Sequence, residues 1–208
     1  MISMRLASVC LGFTALSFGF SPAFAAGADS ADGQIIVFLR HGEKPDSGLG
    51  QLDCKGLNRS LALPPILTKM FGRPDRIFAP DPSHRKKDSG VDYDYIRPLA
   101  TIEPTAIADG LPVDTSIGYD DVAGLTKALT SSEPPARLTF VAWEHKQIVK
   151  TARSLLKASG GNPKDVPAWA GDDFDGLYVV RLQPAPGKAT FERLTEGLDH
   201  LPEDCPGH

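Results

Sequence analysis

Hydrophobic residues along this chain alternate between short continuous runs and longer runs with helical spacing. Residues 35–39, IIVFL, are apolar at every position, which is typical of a strand buried on both faces. In EHKQIVKTARSLLKASGG the apolar residues share one helical face, and a pair of glycines ends the segment. Such segments alternate to the end of the chain. The pattern predicts a three-layer α/β/α sandwich with a mostly parallel sheet.

The other segments fit the same alternation. GLNRSLALPPILTKMFG predicts a helix interrupted or restarted at Pro64-Pro65, because proline lacks the amide that a helix needs. DPSHRKKDSGVDYDY predicts a polar loop whose charges are solvated. The remaining predicted elements are the strands DRIFAP, LPVDT and ARLTFVAW, the helices RPLATIEPTAIADG and DDVAGLTKALTSS, and a closing strand pair, GLYVVRL and ATFERL.

The amino-terminal segment has the three parts of a secretory signal peptide. Arg5 precedes a short apolar stretch, and SPAFAA supplies small residues at a cleavage site. The stretch is shorter than the roughly 20 residues that span a bilayer. We therefore expect residues 1–25 to be a signal peptide, 26–34 a flexible leader, and 35–208 a single domain that is exported to the periplasm or secreted.

Charge and cysteine content narrow the classes of partner. Removing residues 1–25 from the 208 leaves 183, and because Arg5 is lost the formal charge moves from −4 to −5. This mild acidity argues against nucleic acid or an anionic membrane as the main partner. The sequence does not indicate an oligomeric state. The mature chain keeps Cys54 and Cys205, which either form a disulfide in an oxidising compartment or remain two separate thiols.

Two predicted strands and one predicted helix deliver cationic side chains to one edge of the sheet. Residues 35–39 run into Arg40-His41, LTFVAW runs into Glu144-His145, and Arg97 begins a helix. In parallel sheets ligands bind outside the carboxyl ends of the strands. We therefore expect these side chains to meet at one site.

A cluster of arginine and histidine side chains is suited to phosphate chemistry. Arginine guanidinium groups bind phosphate oxygens bidentately, and helix amino termini add N–H donors. Nearby positive charge keeps a histidine neutral, so its lone pair can attack phosphorus. A second histidine can stabilise charge in the transition state. The sequence therefore predicts phosphoryl transfer through a phosphohistidine, without a metal or another cofactor.

These motifs resemble those of the histidine phosphatase superfamily, which has the phosphoglycerate mutase-like fold. FLRHGEK is similar to its Arg-His-Gly signature, RPLAT to its Arg-x-x-x-Thr, FVAWEHKQI to the strand of its second histidine, and GLNRS to its Gly-x-x-Arg-Ala helix start. The resemblance spans about residues 35–182. It implies a phosphatase for a small phosphorylated substrate, with His41 as the nucleophile and Arg40, Arg97 and His145 as phosphate ligands.

The proton donor departs from the family pattern. The acid-phosphatase-like branch has His-Asp at the second histidine, whereas Lys146 follows here. The mutase-like branch has a glutamate after the second arginine, where this chain has GYDD. Asp120, Asp121 and Glu144 therefore stay open as donors. Lack of a strong acid would favour good leaving groups, such as phosphoanhydrides or phosphohistidine.

The sequence leaves two alternative functions open. One is a metal-dependent hydrolase that uses His41, Glu43, His84 and His145, although Arg40 would repel a cation and no H-x-H or H-x-x-x-H pair is present. The other is a non-catalytic protein that binds a phosphorylated ligand on the same fold. The role of Glu43 is left open.

Overall fold

A computed structural model describes residues 33–131, 136–184 and 188–207. The predicted signal peptide and nearly all of the leader lie outside these residues. In chain order the elements are β1 (Gln34–Arg40), α1 (Cys54–Phe71), β2 (Arg76–Phe78), β3 (Lys86–Asp88), β4 (Val91–Tyr93), α2 (Arg97–Asp109), β5 (Val113–Asp114), α3 (Val122–Thr130), β6 (Leu138–Trp143), α4 (His145–Ala158), a 3-10 turn (Pro163–Asp165), β7 (Gly176–Leu182) and β8 (Thr190–Thr195).

Six strands form one sheet in the order β5-β2-β6-β1-β7-β8. The neighbours from β5 to β1 pair in parallel, and β7 and β8 add an antiparallel edge. Leucines of α1 pack with the alanine and isoleucine of α2 in one apolar cluster, while the apolar residues of α3 and α4 belong to a second cluster. Central strands contribute to both clusters. The predicted three-layer α/β/α sandwich with a mostly parallel sheet is therefore confirmed.

Helix α1 is not interrupted at its two prolines, contrary to the sequence prediction. It runs from Cys54 to Phe71 with Pro64 and Pro65 inside it. Leu63 and Leu67, on either side of the prolines, are fully buried against the sheet. Burying a leucine contributes about 1.5–3 kcal/mol, so packing offsets much of the cost of each missing backbone hydrogen bond.

The segment predicted as a polar, solvated loop contains a hairpin instead. Strands β3 and β4 pair as Lys86 with Tyr93 and Asp88 with Val91. Ser89 and Gly90 between them both have positive φ, which is the backbone of a tight two-residue turn. Because side chains alternate along a strand, two of the three β3 residues point inward, and only Lys87 is exposed.

The carboxyl-terminal tail is fixed to the start of α1. Cys54 and Cys205 form a disulfide that closes a sequence separation of 151 residues. Beside it, the amide of Asn58 donates to the carbonyls of Pro202 and Asp204. In the described ranges, no helix is long and apolar enough to span a membrane.

Candidate active site

The site lies at the carboxyl ends of the two central parallel strands. Arg40, the last residue of β1, is in register with Trp143, the last residue of β6. The next amide along the chain, that of His41, donates to the carbonyl of Trp143 at 3.2 Å. His145 begins α4 immediately after β6, and Arg97 begins α2. Sheet register therefore brings two sequence motifs about 100 residues apart to the same edge.

The His41 ring is buried and held in one orientation. It is 3% exposed, and its Nδ1 lies 2.8 Å from the carbonyl oxygen of Gly42. A carbonyl only accepts hydrogen bonds, so Nδ1 carries the proton and the lone pair of the neutral ring is on Nε2. Burial, together with the charges of Arg97, Arg40 and His145, holds the pKa of His41 well below 6.5, and the Gly42 bond opposes this only in part. His41 is therefore neutral at physiological pH, with its Nε2 lone pair free.

Arg40 is fixed on one side of its guanidinium by backbone and ring contacts. Its Nη1 donates to the carbonyls of Gly171 and Asp173 at 2.8 and 2.9 Å. The Phe174 ring covers its plane, with the guanidinium carbon 3.8 Å from the ring centroid. Its Nε is buried and has no hydrogen-bond partner among the described residues. The loop of residues 171–174 thus sets which edge of Arg40 points toward the site.

Arg97 is held by an acidic residue of the hairpin. It is 2% exposed, and its Nη1 lies 2.6 Å from Oδ2 of Asp88. The other oxygen of Asp88 binds Lys44 at 2.9 Å. Although burial opposes ionisation, these two cations hold the pKa of Asp88 below its usual value. Asp88 is consequently an ionised anchor for Arg97 and cannot easily donate a proton.

His145 lies beside Glu144 at the amino terminus of α4. One carboxylate oxygen of Glu144 accepts from the Gln147 amide at 3.0 Å and caps the helix. The other lies 3.1 Å from Nδ1 of His145. Burial lowers the pKa of His145, Glu144 opposes this, and Arg40 adds to the lowering. The second histidine is therefore also held toward its neutral form.

The similarities to known proteins come from structure rather than from sequence. No protein-family model matches the sequence, and no curated protein is similar enough in sequence to count as a match. Among solved structures, the mycobacterial glucosyl-3-phosphoglycerate phosphatase with inorganic phosphate aligns with a TM-score of 0.52 and 17% identity, over 78% of this chain and 96% of that one. A proposed α-ribazole-5'-phosphate phosphatase from Escherichia coli gives 0.53 and 10%, over 79% and 97%. The proposed phosphohistidine phosphatase SixA from Nakamurella multipartitia gives 0.51 and 16%, over 78% and 95%.

This chain has the histidine phosphatase fold. The resemblance predicted from its motifs is thus confirmed at the level of the fold.

Two glycines allow the loop after β1 to pack on α1. A Cβ on Gly42 would lie 3.0 Å from the Cα of Gly56, and a Cβ on Gly56 would overlap the backbone of Glu43. The Gly42 amide donates to Thr101 Oγ1 at 2.9 Å. The Arg-His-Gly and Arg-x-x-x-Thr motifs are therefore joined by a direct hydrogen bond.

Glu43, whose role the sequence left open, supports this loop. Arg59 of α1 binds both its oxygens, with Nε at 2.9 Å and Nη2 at 2.8 Å. Arg59 is fully buried and also binds Glu196 at 2.6 Å and Asp175 at 3.2 Å. Both oxygens of Glu43 are thus paired with a cation, so Glu43 does not act as a metal ligand, as the metal-dependent alternative would require. The described parts of the chain contain no cluster of three His, Cys, Asp or Glu residues that could hold a metal ion.

The three candidate proton donors lie in different environments. Asp120 is about half exposed, and its carboxylate is 3.4 Å from Nε2 of His84, which is also on the surface. Asp121 accepts from the Gly124 amide at 2.8 Å and caps α3. Glu144 is 5% exposed and is the candidate of the three that contacts His145.

Tyr95 is a site residue that the sequence analysis missed. It is fully buried, with its ring centroid 6.0 Å from that of His41 and 5.0 Å from the guanidinium carbon of Arg97. Its hydroxyl has no hydrogen-bond partner among the described residues. Burial raises the pKa of Tyr95 far above its usual value, so the hydroxyl remains a donor. Tyr95 lies at the end of a charged segment, and no periodic pattern marks it in the sequence.

Proposed function

We propose that this protein is a phosphatase that transfers the phosphoryl group of its substrate to Nε2 of His41. The Nε2 lone pair forms the bond to phosphorus while the bond from phosphorus to the leaving oxygen breaks. Water then attacks the phosphohistidine, inorganic phosphate leaves, and the neutral imidazole is restored. The observation that carries this proposal is the buried, neutral His41 with Nδ1 bound to Gly42 and two arginines beside it.

The other side chains of the site are assigned to the phosphoryl group. The Nε atoms of Arg40 and Arg97 and the hydroxyl of Tyr95 are buried and have no hydrogen-bond partner in the part of the chain that the structure describes. Buried donors of this kind are rare and costly unless a ligand satisfies them. We assign them, together with His145, to the phosphoryl oxygens, where they balance charge in the transition state.

The leaving group of the proposed substrate is one that departs readily. Asp88 is ionised by its two cations, and Glu144 accepts a hydrogen bond as a helix cap. General acid help is worth roughly 10²–10⁴ in rate. A site with little such help is best suited to phosphoanhydrides or aryl phosphates, whose leaving oxygens need the least protonation.

Rapid quenching during turnover of 4-nitrophenyl phosphate tests the mechanism. We expect acid-labile, base-stable phosphate on His41, and no turnover by His41→Ala. His84→Ala is the matched control, because that side chain is 45% exposed on the surface, and it should retain activity. Full turnover by His41→Ala would overturn the mechanism, and phosphate binding without turnover by the unaltered protein would instead support a binding protein.

We also propose that the protein works outside the cytoplasm. The signal-like residues 1–25 and the Cys54–Cys205 disulfide both support this, since reducing compartments disfavour disulfides. Mass spectrometry of the protein from its native cells should find an amino terminus at Ala26. An intact Met1 in a cytoplasmic fraction would contradict export.

A further inference from the structure

We propose that Lys86 forms a subsite for a negative charge on the leaving group of the substrate, an inference that rests on the proposed phosphatase function. The structure thus assigns the substrate class as a phosphorylated compound whose leaving group is itself anionic, such as a carboxylate-bearing phenol or a second phosphoryl group. Nothing in the Arg-His-Gly or Arg-x-x-x-Thr motifs encodes this residue.

The hairpin places Lys86 on the side that faces the site. Inward and outward positions alternate along β3, and Lys86 and Asp88 are partly buried whereas Lys87 is exposed. Asp88 reaches Arg97 from the same face. The seryl hydroxyl of Ser89 donates to the backbone carbonyl of Asp46 at 2.8 Å, so the turn of the hairpin is tied to the loop after β1. Lys86 therefore lies on the same face of the hairpin as Asp88, and the hydrogen bond from Ser89 to Asp46 holds the hairpin in place beside the site.

Two aromatic rings hold the ammonium group of Lys86. Its Nζ lies 4.9 Å from the ring centroid of Tyr119 and 5.8 Å from that of Tyr95. The two rings contact each other at 5.3 Å. Cation–π contacts position an ammonium group without neutralising it, so its positive charge remains available to a ligand.

Lys86 differs from the neighbouring cations in its partners. Lys44 and Arg97 share the carboxylate of Asp88, and Arg85 lies 3.5 Å from Asp94. The ion pairs within the described ranges include no carboxylate for Lys86. A cation that lies beside the site, with no carboxylate of the described residues in salt-bridge contact, is a natural partner for an anionic ligand.

Lys86 lies next to the residues assigned to the phosphoryl group. Its Nζ is 5.8 Å from the ring centroid of Tyr95 and 4.9 Å from that of Tyr119. Its charge also acts on His145. Lys86 therefore borders the phosphoryl position, where the rest of the substrate would extend.

The test uses two probes that differ in one charge, 4-carboxyphenyl phosphate and its methyl ester. Lys86→Gln should lower kcat/KM for the carboxylate about tenfold, which corresponds to one charge-assisted contact, and should change the ester less than about twofold. Lys87→Gln, on the exposed face of the same strand, should change neither probe by more than about twofold. An equal effect of Lys86→Gln on both probes, or no effect on either, would overturn the proposal.

Binding separates this inference from the phosphatase mechanism. We expect calorimetry to show that 4-carboxybenzylphosphonate, which cannot be hydrolysed, binds about tenfold more tightly than its methyl ester, and that Lys86→Gln removes the preference. A preference of this kind without turnover would support the subsite and refute the mechanism. Turnover that requires His41, without any charge preference, would do the reverse.

Discussion

Replacing Arg59 by methionine should lower the free energy of unfolding by about 3–5 kcal/mol, the cost of removing one partner from a buried ion pair. Arg59 is fully buried, and its guanidinium contacts Glu43, Asp175 and Glu196 at 2.6–3.2 Å. Methionine fills most of the same volume. The loss would therefore come mainly from carboxylates left without a cation rather than from a cavity.

The pH dependence of this loss has a definite sign. Burial raises the pKa of Glu196 to about 8, with Arg59 opposing this and Asp175 and Glu43 adding to it. Without Arg59, the pKa values of Glu43 and Glu196 rise in the folded state but not in the unfolded state. The folded variant then binds more protons than the unfolded one, so its stability rises as the pH falls. The deficit should be largest near pH 8 and smaller near pH 5.

Urea unfolding followed by circular dichroism, with the disulfide kept oxidised, measures both effects. Arg181→Met is the control, because its 3.4 Å contact with Glu192 is solvent-exposed and such pairs contribute about 0–1 kcal/mol. The assigned role of the carboxylate cluster would be wrong if the free energy of unfolding of Arg59→Met at pH 8 were within about 1 kcal/mol of that of the unaltered protein. It would also be wrong if the difference between the two proteins grew toward pH 5.

Three further predictions concern the site and the tail. Tyr95→Phe removes only a buried hydroxyl, and kcat/KM for 4-nitrophenyl phosphate should fall about 10- to 100-fold; unchanged kinetics would exclude its contact with the phosphoryl group. Phosphoenzyme formation in rapid-quench experiments should persist from about pH 7.5 down to about pH 5.5, because the lowered pKa keeps His41 neutral; a loss centred at or above 6.5 would contradict this. Replacing Cys54 and Cys205 by serine should reduce the free energy of unfolding by about 2–5 kcal/mol in urea, and equal stability would show that the cross-link constrains little.

Much of the fold could be predicted because its signals are local. The continuous apolar run of β1 and the helical spacing in α4 each indicate burial without knowledge of any partner. The predicted helix RPLATIEPTAIADG is present as α2, and its final glycine, Gly110, adopts the left-handed conformation that ends the helix. Parallel register then accounts for the meeting of Arg40, His41 and His145 at one edge.

The features that could not be predicted depend on partners distant in the sequence. The path of α1 through Pro64 and Pro65 is decided by packing against the sheet. The sequence of the charged segment before α2 predicts solvated surface. Only the pairing of β3 with β4 shows that Lys86 and Asp88 face the site. Charge by itself does not indicate which side of a strand will be covered.

Sequence alone therefore determined the layers of this protein and the meeting of Arg40, His41 and His145 at one edge of the sheet, because periodicity and strand direction are properties of the chain itself. Only the tertiary structure decided how those residues are held: Asp88 on Arg97, Arg59 on Glu43, and Tyr95 beside His41. The physical reason is that pKa values, ion pairs and buried donors depend on distances between atoms, which are fixed only after the chain has folded.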